Sequence, residues 1–156
     1  MILLTGATGF LGNIIAKTLG SQISGTIGRS GCTINADLSR EVPYIASAYE
    51  IVIHAAGKAH YVPANDGEKQ AFFDVNVNGT KNLIQGLEAS KTLPQSFVYI
   101  SSVAVYGVDS GKYINEEHPF NSTDAYGKSK VEAEILIHEW CIKNKISCSI
   151  LRLPLL

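Results

Sequence analysis

The stretch Thr5-Gly-Ala-Thr-Gly-Phe-Leu-Gly12 follows directly on an apolar run at residues 1–4 and decides how the rest of the sequence is interpreted. Its glycines, Gly6, Gly9 and Gly12, recur at every third position. After a strand, Gly6 permits a tight turn, Gly9 lets the backbone approach a pyrophosphate, and Gly12 lets the next helix pack against the sheet. The N-terminus of that helix presents free N–H groups to phosphate. The stretch predicts a dinucleotide-binding turn, with a purely structural glycine turn as the alternative.

Short β-type apolar runs alternate with longer helical stretches along the remainder of the chain. The predicted strands are residues 1–4, 23–27, 32–36, 50–56, 96–102 and 147–153. The predicted helices are residues 13–19, one or two turns within 41–49, 68–90 with a bend near Asn78-Gly79, and 124–144. Strands rich in Ile and Val that alternate with helices are typical of βαβ units. The predicted fold class is therefore α/β, a doubly wound parallel sheet of the Rossmann type with about six strands, in one domain over residues 1–156.

Composition and charge exclude several classes of protein. The 156 residues carry 13 Lys+Arg against 14 Asp+Glu, and this net charge of −1 gives no basis for a nucleic-acid or polybasic membrane partner. No apolar run reaches the roughly 20 residues of a spanning helix, and the N-terminus lacks the pattern of a secretion signal. Cys32, Cys141 and Cys148 have no metal-ligand spacing and are interpreted as reduced thiols. We expect a cytoplasmic protein with no metal site.

The residues after the second and third predicted strands bear on the choice of nucleotide. NAD-binding folds usually place Asp or Glu at the end of the second strand, but this sequence has Gly28-Arg29-Ser30 there. A cation such as Arg29 suits a 2′-phosphate, so NADP is slightly favoured over NAD; the alternative is a solvated arginine or one stacked on adenine. Asp37 is placed to accept a hydrogen bond from the adenine amino group, and its alternative role is a helix cap.

A second group of residues predicts proton-transfer chemistry. Tyr126 and Lys130 stand at i and i+4 and share one helix face. A free tyrosine has a pKa of about 10, so acting near pH 7 requires a shift of ~3 units, about 4 kcal/mol, which a neighbouring ammonium and an oxidised nicotinamide favour. Ser101 and Ser102 end the strongest predicted strand, where this fold opens its ligand crevice. A serine hydroxyl there can bind a substrate oxygen while Tyr126 moves the proton, and a strand-end cap is the alternative.

These motifs together resemble the extended short-chain dehydrogenases/reductases of the nucleotide-sugar epimerase and dehydratase type, a family that includes UDP-glucose 4-epimerase. The resemblance covers essentially the whole chain, with the motifs in the family's order and at about its spacing. The matching motifs are TGATGFLG (5–12), Asp37-Leu38, HAAGK (54–58), NVNGT (76–80), SSVAVYG (101–107), YGKSK (126–130) and LRLP (151–154).

The resemblance implies roles for individual residues. Beyond the glycine turn and Arg29, it implies cofactor contacts for Phe10, Leu11, Asp37, Leu38, Ala55, Ala56, Gly57, Lys58, Asn76, Tyr126, Lys130 and Pro154. The implied catalytic set is Ser102, Tyr126 and Lys130. In that scheme Lys130 bonds the nicotinamide ribose and favours tyrosinate at Tyr126. Tyr126 takes the proton of a sugar hydroxyl as hydride passes to the nicotinamide, and Ser102 orients the sugar oxygen.

Four further polar residues carry open interpretations. His54 is interpreted as a buried strand histidine in preference to a catalyst. Lys58 and His60 contact a substrate phosphate or lie in a solvated loop. Asn76 faces the active site or makes internal hydrogen bonds within its helix.

The predicted function is NAD(P)-dependent epimerisation or dehydration of a nucleotide sugar. The family continues for about as many residues again, with a smaller substrate domain, so we expect residues 1–156 to be a cofactor-binding portion that lacks this domain. Two alternatives stay open: an NAD(P)H-dependent ketoreductase or sterol-type dehydrogenase, and a non-catalytic dinucleotide-binding regulatory module. The resemblance also implies a homodimer formed through the helices that carry NVNGT and YGKSK.

Overall fold

Six strands and four α-helices make up most of the computed structural model, which describes residues 1–59, 61–108 and 110–154. The strands are β1 (Ile2–Thr5), β2 (Ile23–Gly28), β3 (Ile34–Asn35), β4 (Ile51–His54), β5 (Ser96–Ser102) and β6 (Ser147–Leu153). The helices are α1 (Phe10–Leu19), α2 (Asp66–Phe73), α3 (Gly79–Glu88) and α4 (Ala125–Asn144). A π-helical turn at Asp74–Asn78 joins α2 to α3, and 3₁₀ turns occupy Gly20–Gln22 and Val103–Tyr106.

The strands form one sheet in the order β3-β2-β1-β4-β5-β6, and every neighbouring pair is parallel. This arrangement confirms the predicted doubly wound fold class. The strand order reverses between β1 and β4, and in such sheets ligands bind beyond the carboxyl ends of the strands at the reversal. Thr5 lies beside His54 across this pair, and Ser101 lies beside Arg152 at the end of β5. The register therefore brings polar residues from four strands to one edge.

The apolar core lies between the sheet and its helices. Leu3, Val52 and Phe97 on three different strands are fully buried, and Leu83 of α3 and Ile137 of α4 belong to the same cluster. Burying each such side chain contributes about 1.5–3 kcal/mol. The long apolar runs of the sequence therefore become the central strands.

Several element boundaries differ from the predictions; the strand predicted at 50–56, for example, is only Ile51–His54. The predicted helix at 13–19 begins earlier, at Phe10, because Gly9 is its N-cap and the Asn13 nitrogen donates to the Gly9 carbonyl at 2.9 Å. The predicted strand at 32–36 is reduced to Ile34–Asn35. Thr33 bonds Thr26 through side chains and backbone instead of extending a regular ladder.

The prediction of helical turns within residues 41–49 is wrong, because this fully described segment contains no helix. Ile45 and Tyr49 are buried in the core and hold the segment against the sheet. The Tyr49 ring occupies the space beside Gly25, where a Cβ would collide with it. Pro43 packs closely on Gly86 of α3, and proline also disfavours helical geometry in the residue before it. Tertiary packing outweighs local helix preference here.

The predicted long helix at 68–90 is present as α2, the π turn and α3, and its irregularity lies at Asp74–Asn78. Its start carries reciprocal caps, since Asn65 accepts from the Glu68 nitrogen and Glu68 accepts from the Ala64 nitrogen. No α-helix in the described part of the chain is both long and apolar enough to cross a membrane.

Candidate cofactor groove and active site

The turn between β1 and α1 has no room for side chains at two of its three glycines. Gly6 has φ +75°, and a Cβ there would lie 2.6 Å from the Ala56 nitrogen. A Cβ at Gly12 would collide with the Gly6 carbonyl. At Gly9 an added Cβ would lie 3.3 Å from the Gly6 oxygen, a tight contact but not a collision. Close backbone packing thus explains Gly6 and Gly12, whereas Gly9 lines a groove.

The N-terminus of α1 is suited to an anion. The helix begins immediately after Gly9, and its first turn contains no acidic residue. Its unpaired N–H groups therefore keep their partial positive charge, which attracts phosphate groups. Phe10, the first helical residue, is 74% exposed and lies over the entrance to the groove with Leu11.

A cavity of about 380 Å³ lies at the carboxyl ends of the strands around β1. It is lined by Gly6, Thr8, Gly9, Ile27, Gly28, Arg29, Ala36, Asp37, Leu38, Ser39, His54, Ala56, Gly57, Lys58 and Val75. The predicted adenosine-end residues Arg29, Asp37 and Leu38 therefore share one wall with the glycine turn.

Asp37 is ionised at this end of the groove. Its Oδ1 accepts hydrogen bonds from the Ser39 hydroxyl at 2.6 Å and the Ser39 nitrogen at 3.1 Å, and these bonds are the main reason why its pKa lies below the usual value. The positive charges of Arg40 and Arg29 lower that pKa further. The alternative role as a helix cap is wrong, because residues 38–40 form a turn and no helix follows.

A chain of buried hydrogen bonds runs behind the groove from β1 to the π turn. The Ala56 nitrogen donates to Thr5 Oγ1 at 3.0 Å, and Thr5 Oγ1 lies 2.7 Å from His54 Nδ1. His54 Nε2 lies 3.0 Å from Thr80 Oγ1, which donates to the Asn76 carbonyl at 2.7 Å. Because the Thr80 proton is used on Asn76, His54 Nε2 donates to Thr80 and Nδ1 accepts from Thr5.

His54 is a neutral, buried part of this chain. It is 1% exposed, and burial lowers its pKa to about 3, with a smaller contribution from the charge of Lys130. These contacts agree with the interpretation of His54 as a buried strand histidine. Its hydrogen bonds hold the Ala56 backbone in place at the cavity wall.

Asn76 fixes the other side of the same wall. It is 2% exposed; its Oδ1 accepts from the Lys58 nitrogen at 2.8 Å and its Nδ2 donates to Ser129 Oγ at 2.9 Å. Ser129 in turn donates to the Tyr126 carbonyl at 2.7 Å. Asn76 therefore links the Gly57–Lys58 turn to the first turn of α4, and a direct contact with the cofactor stays a prediction.

A second cavity, of about 330 Å³, adjoins the first and shares Gly57 and Lys58 with it. It is lined by Phe10, Leu11, Gly57, Lys58, Ala59, Ile100, Ser101, Ser102, Tyr126, Lys130, Leu153 and Pro154. The fold thus brings the predicted Ser102, Tyr126 and Lys130 into one cavity, together with the predicted Phe10, Leu11 and Pro154.

The three predicted catalytic residues have distinct surroundings. Lys130 is 6% exposed, and its Nζ donates to the Ile100 carbonyl at 3.0 Å and lies 4.9 Å from the centre of the Tyr99 ring. Burial lowers the pKa of Lys130 to about 8, and the charge of Glu134 acts in the opposite direction. The centres of the Tyr126 and Phe72 rings are 5.7 Å apart. Ser102 Oγ accepts a hydrogen bond from the Ala104 nitrogen at 3.2 Å.

Three predicted residues line neither cavity. Gly12 is buried against the glycine turn, Asn76 lies behind the wall, and Ala55 contributes its backbone beside Gly6. The predicted substrate contact of His60 lies outside the described residues. The Lys58 ammonium lies 4.8 Å from the centre of the Tyr61 ring.

Sequence reasoning missed the polar residues that support the site from behind: Thr5, Thr80, Tyr99, Ser129, Glu134 and Arg152. Four of them, Thr5, Thr80, Ser129 and Arg152, lie within motifs that carry the family resemblance, and Glu134 repeats the four-residue spacing of Tyr126 and Lys130. Their hydrogen-bond partners become visible only when elements distant in sequence are packed together, and Tyr99 lies in none of the motifs.

A family model described as NAD dependent epimerase/dehydratase matches residues 2–156. The chain belongs to this family. UDP-glucose 4-epimerase of Vibrio cholerae is 31% identical over 151 residues, an alignment that covers 85% of this chain and 44% of that protein. The epimerase/dehydratase assignment thus extends over the glycine turn, the groove and α4.

Solved structures of similar proteins contain nicotinamide dinucleotides. RMD from Pseudomonas aeruginosa complexed with NADPH matches with a TM-score of 0.74 and 27% identity, covering 98% of this chain and 53% of that one. UDP-glucose 4-epimerase from Brucella ovis in complex with NAD matches with a TM-score of 0.75 and 25% identity, covering 97% and 50%. The chain therefore spans about half the length of these two relatives, one of which is complexed with NADPH and the other with NAD.

Proposed function

We propose that the chain binds a nicotinamide dinucleotide along the groove, with adenosine near Asp37 and nicotinamide near Lys130. The observation that carries the proposal is the pair of adjoining cavities that share Gly57 and Lys58. One contains the glycine turn and the other contains Tyr126. A long ligand with a nucleoside at each end fits two adjoining cavities better than a single small ligand does.

The residues present suit such a cofactor. Gly9 lines the groove without a side chain, and the N-terminus of α1, whose first turn has no acidic residue, supplies N–H donors for a pyrophosphate. Arg29 lines the adenosine end, and Arg40 Nε lies 3.9 Å from Asp37 Oδ2. Two cations near this carboxylate support the slight preference for NADP over NAD.

The proposed reaction of the whole protein is epimerisation or dehydration of a nucleotide sugar. The bound nicotinamide supplies a site that accepts and returns hydride. Tyr126 exchanges a proton with the sugar hydroxyl at its phenol oxygen, and Ser102 holds the sugar oxygen by a hydrogen bond. The Lys130 ammonium lines the same cavity and places a positive charge near the proposed proton transfer. The part of the protein that selects the sugar lies outside residues 1–156 in this proposal.

Calorimetry with NAD, NADH, NADP and NADPH tests the binding proposal. We expect measurable binding by wild type and a large loss in Gly9→Val, because the added side chain enters the groove. Gly67→Ala, in the exposed first turn of α2, is the matched control and should bind like wild type. If wild type binds none of the four at millimolar concentration, or if Gly9→Val binds equally well, the proposal is wrong.

The reaction class is tested by absorbance of the reduced nicotinamide when a nucleotide sugar is added. Epimerisation leaves the cofactor unchanged after each turnover, whereas a ketoreductase gives a net, substrate-dependent change. Tyr126→Phe should abolish turnover in any active preparation because it removes the proton-carrying oxygen. Unchanged turnover in Tyr126→Phe would contradict the proposed role of Tyr126, whereas a wild-type protein that binds a dinucleotide and turns over no nucleotide sugar would support the non-catalytic module.

We also propose that the chain forms a homodimer through its long helices. Ile135 and Ile142 on α4 are 45% and 65% exposed, which leaves apolar surface on that helix. Sedimentation velocity of wild type and Ile142→Lys tests this proposal, since the charge should shift a dimer towards monomer. A wild-type protein that stays monomeric at high concentration would contradict it.

A further inference from the structure

Glu134 is a buried carboxylate on the helix that carries the predicted catalytic residues. It follows Tyr126 and Lys130 at successive four-residue intervals on α4, so all three share one face. Glu134 is 2% exposed, although an ionised carboxylate is costly to bury unless it is paired and hydrogen-bonded.

The Glu134 carboxylate is held by both of the last two strands. Its Oε1 accepts from the Ser101 hydroxyl at 2.5 Å at the end of β5. Arg152 of β6 donates to it from Nε at 3.2 Å and from Nη2 at 2.8 Å. These bonds fix the carboxylate directly beneath the strand end that carries Ser102.

Arg152 extends this connection to the segment before α4. Its Nη1 donates to the Tyr106 hydroxyl and to the Glu116 carbonyl, both at 2.9 Å. The guanidinium also lies 4.8 Å from the centre of the Phe120 ring. Glu134 and Arg152 therefore connect β5, β6, Tyr106, Glu116 and Phe120 to one face of α4.

The charge of Glu134 also acts on Lys130, one turn earlier on the same face of α4, where it raises the pKa of the buried ammonium. The titratable groups that face Lys130 are Glu134 and Tyr126 on α4, His54 on β4 and Tyr99 on β5. His54 is neutral, and burial raises the pKa of Tyr99 so that its phenol is neutral as well. Within this set, Glu134 is the residue whose negative charge offsets the free-energy cost of burying the Lys130 ammonium.

We propose that Glu134 is a positioning residue that supplies the counter-charge for the Lys130 ammonium and, through Ser101 and Arg152, holds the end of β5 together with Tyr106 and Glu116 around it. The importance of Lys130 for turnover rests on the proposed function. The electrostatic coupling and the anchoring do not, so they can be tested in the protein without cofactor.

The test is an NMR titration of the lysine ε-carbons in wild type and Glu134→Gln. Lys130 is assigned by the signal lost in Lys130→Met. Gln keeps the size of Glu and can still accept from Ser101, but it lacks the charge. We expect the Lys130 midpoint to move to lower pH by about one unit, the effect of losing a nearby opposite charge. Glu132→Gln, on the exposed side of α4, is the matched control and should leave the midpoint unchanged.

A second variant covers the case in which Glu134→Gln fails to fold. Glu134→Gln/Arg152→Met removes both charges, and replacing a whole buried pair is tolerated better than breaking it. It should lower the Lys130 midpoint in the same direction. A Lys130 midpoint equal to that of wild type in either folded variant overturns the proposal.

Calorimetry with NADH separates the two proposals. If wild type binds NADH, Glu134→Gln should lose affinity more strongly at pH 8 than at pH 6, because Lys130 loses its charge earlier. If wild type binds no dinucleotide, the proposed function fails while the NMR titration still decides the role of Glu134.

Discussion

The two ends of the groove are built by different means. At the adenosine end, the turn between β1 and α1 shapes the site with its backbone, and glycines are required where carbonyl and amide groups pass closely. At the α4 end, side chains from β5, β6 and α4 meet in a buried network around Glu134 and Arg152. One end depends on local chain geometry and the other on long-range pairing.

This difference teaches where substitutions act. A backbone-built site tolerates no added atoms but carries little buried charge. A side-chain-built site tolerates changes of size better than changes of charge, because an unpaired buried charge is strongly destabilising. The His54 and Asn76 hydrogen bonds lie between the two ends and couple them.

The largest expected effect is at the backbone-built end. Gly12→Val places a side chain against the Gly6 carbonyl, so we expect the free energy of unfolding to fall by about 3 kcal/mol or more. Urea unfolding followed by circular dichroism measures it, with Gly67→Ala as the control. If Gly12→Val unfolds at the same urea concentration as wild type, the close packing of the glycine turn does not limit which side chains fit there.

His54, which lies between the two ends of the groove, should make the free energy of unfolding depend on pH. Unfolded His54 binds a proton below pH ~6.5, whereas the folded histidine has a pKa of about 3, so acid favours the unfolded chain. From pH 6.5 to 4.5 the free energy of unfolding should fall by about 2.3 kcal/mol through this residue, because the slope rises towards ~1.4 kcal/mol per unit as unfolded His54 becomes fully protonated.

His54→Gln should remove this part of the pH dependence, and His138→Gln, on the exposed side of α4, should retain it. Urea midpoints at the two pH values provide the measurement. Equal slopes in His54→Gln and wild type would mean that His54 is not buried in its neutral form.

Asn76→Ala tests the link from the wall to α4. The Lys58 nitrogen loses its acceptor, and Ser129 Oγ loses the bond that Asn76 donates to it. We expect a loss of roughly 1–3 kcal/mol in the free energy of unfolding. Asn78→Ala in the same π turn changes an exposed residue and should cost much less. Similar losses in both variants would argue against Asn76 as the connecting residue.

The smallest effect concerns the nucleotide. Removing the cation in Arg29→Ala should weaken NADPH binding about tenfold, near 1.4 kcal/mol, and leave NADH binding unchanged. Lys17→Ala, an exposed cation on α1, controls for net charge. Equal effects on the two cofactors would remove the argument for NADP.

Strong local patterns predicted most of the fold. The strands Ser96–Ser102 and Ser147–Leu153 lie where their apolar runs placed them, and α4 ends at Asn144 as expected. The prediction failed at residues 41–49, because Ile45 and Tyr49 find their partners in the core and not in their own segment. It also overextended the strand at 32–36, because side-chain bonds between Thr26 and Thr33 replace a regular ladder.

The sequence predicted the residues that line the cavities but missed the buried polar residues that hold them in place. Tyr126, Lys130 and Ser102 follow a recognisable spacing and lie in one cavity. Thr5 and Thr80 lie within quoted motifs, but their hydrogen bonds to His54 join three different elements and could not be predicted from the sequence. Glu134 looked like one more polar residue in a mixed helix until Ser101 and Arg152 were placed against it.

The sequence by itself determined the parallel sheet, the glycine turn and the family, because periodicity, glycine spacing and ordered motifs are local properties of the chain. The tertiary structure decided which polar groups share hydrogen bonds, the tautomer of His54 and the burial of Glu134 with Lys130. Those properties depend on distances between residues far apart in sequence, and strand register sets these distances.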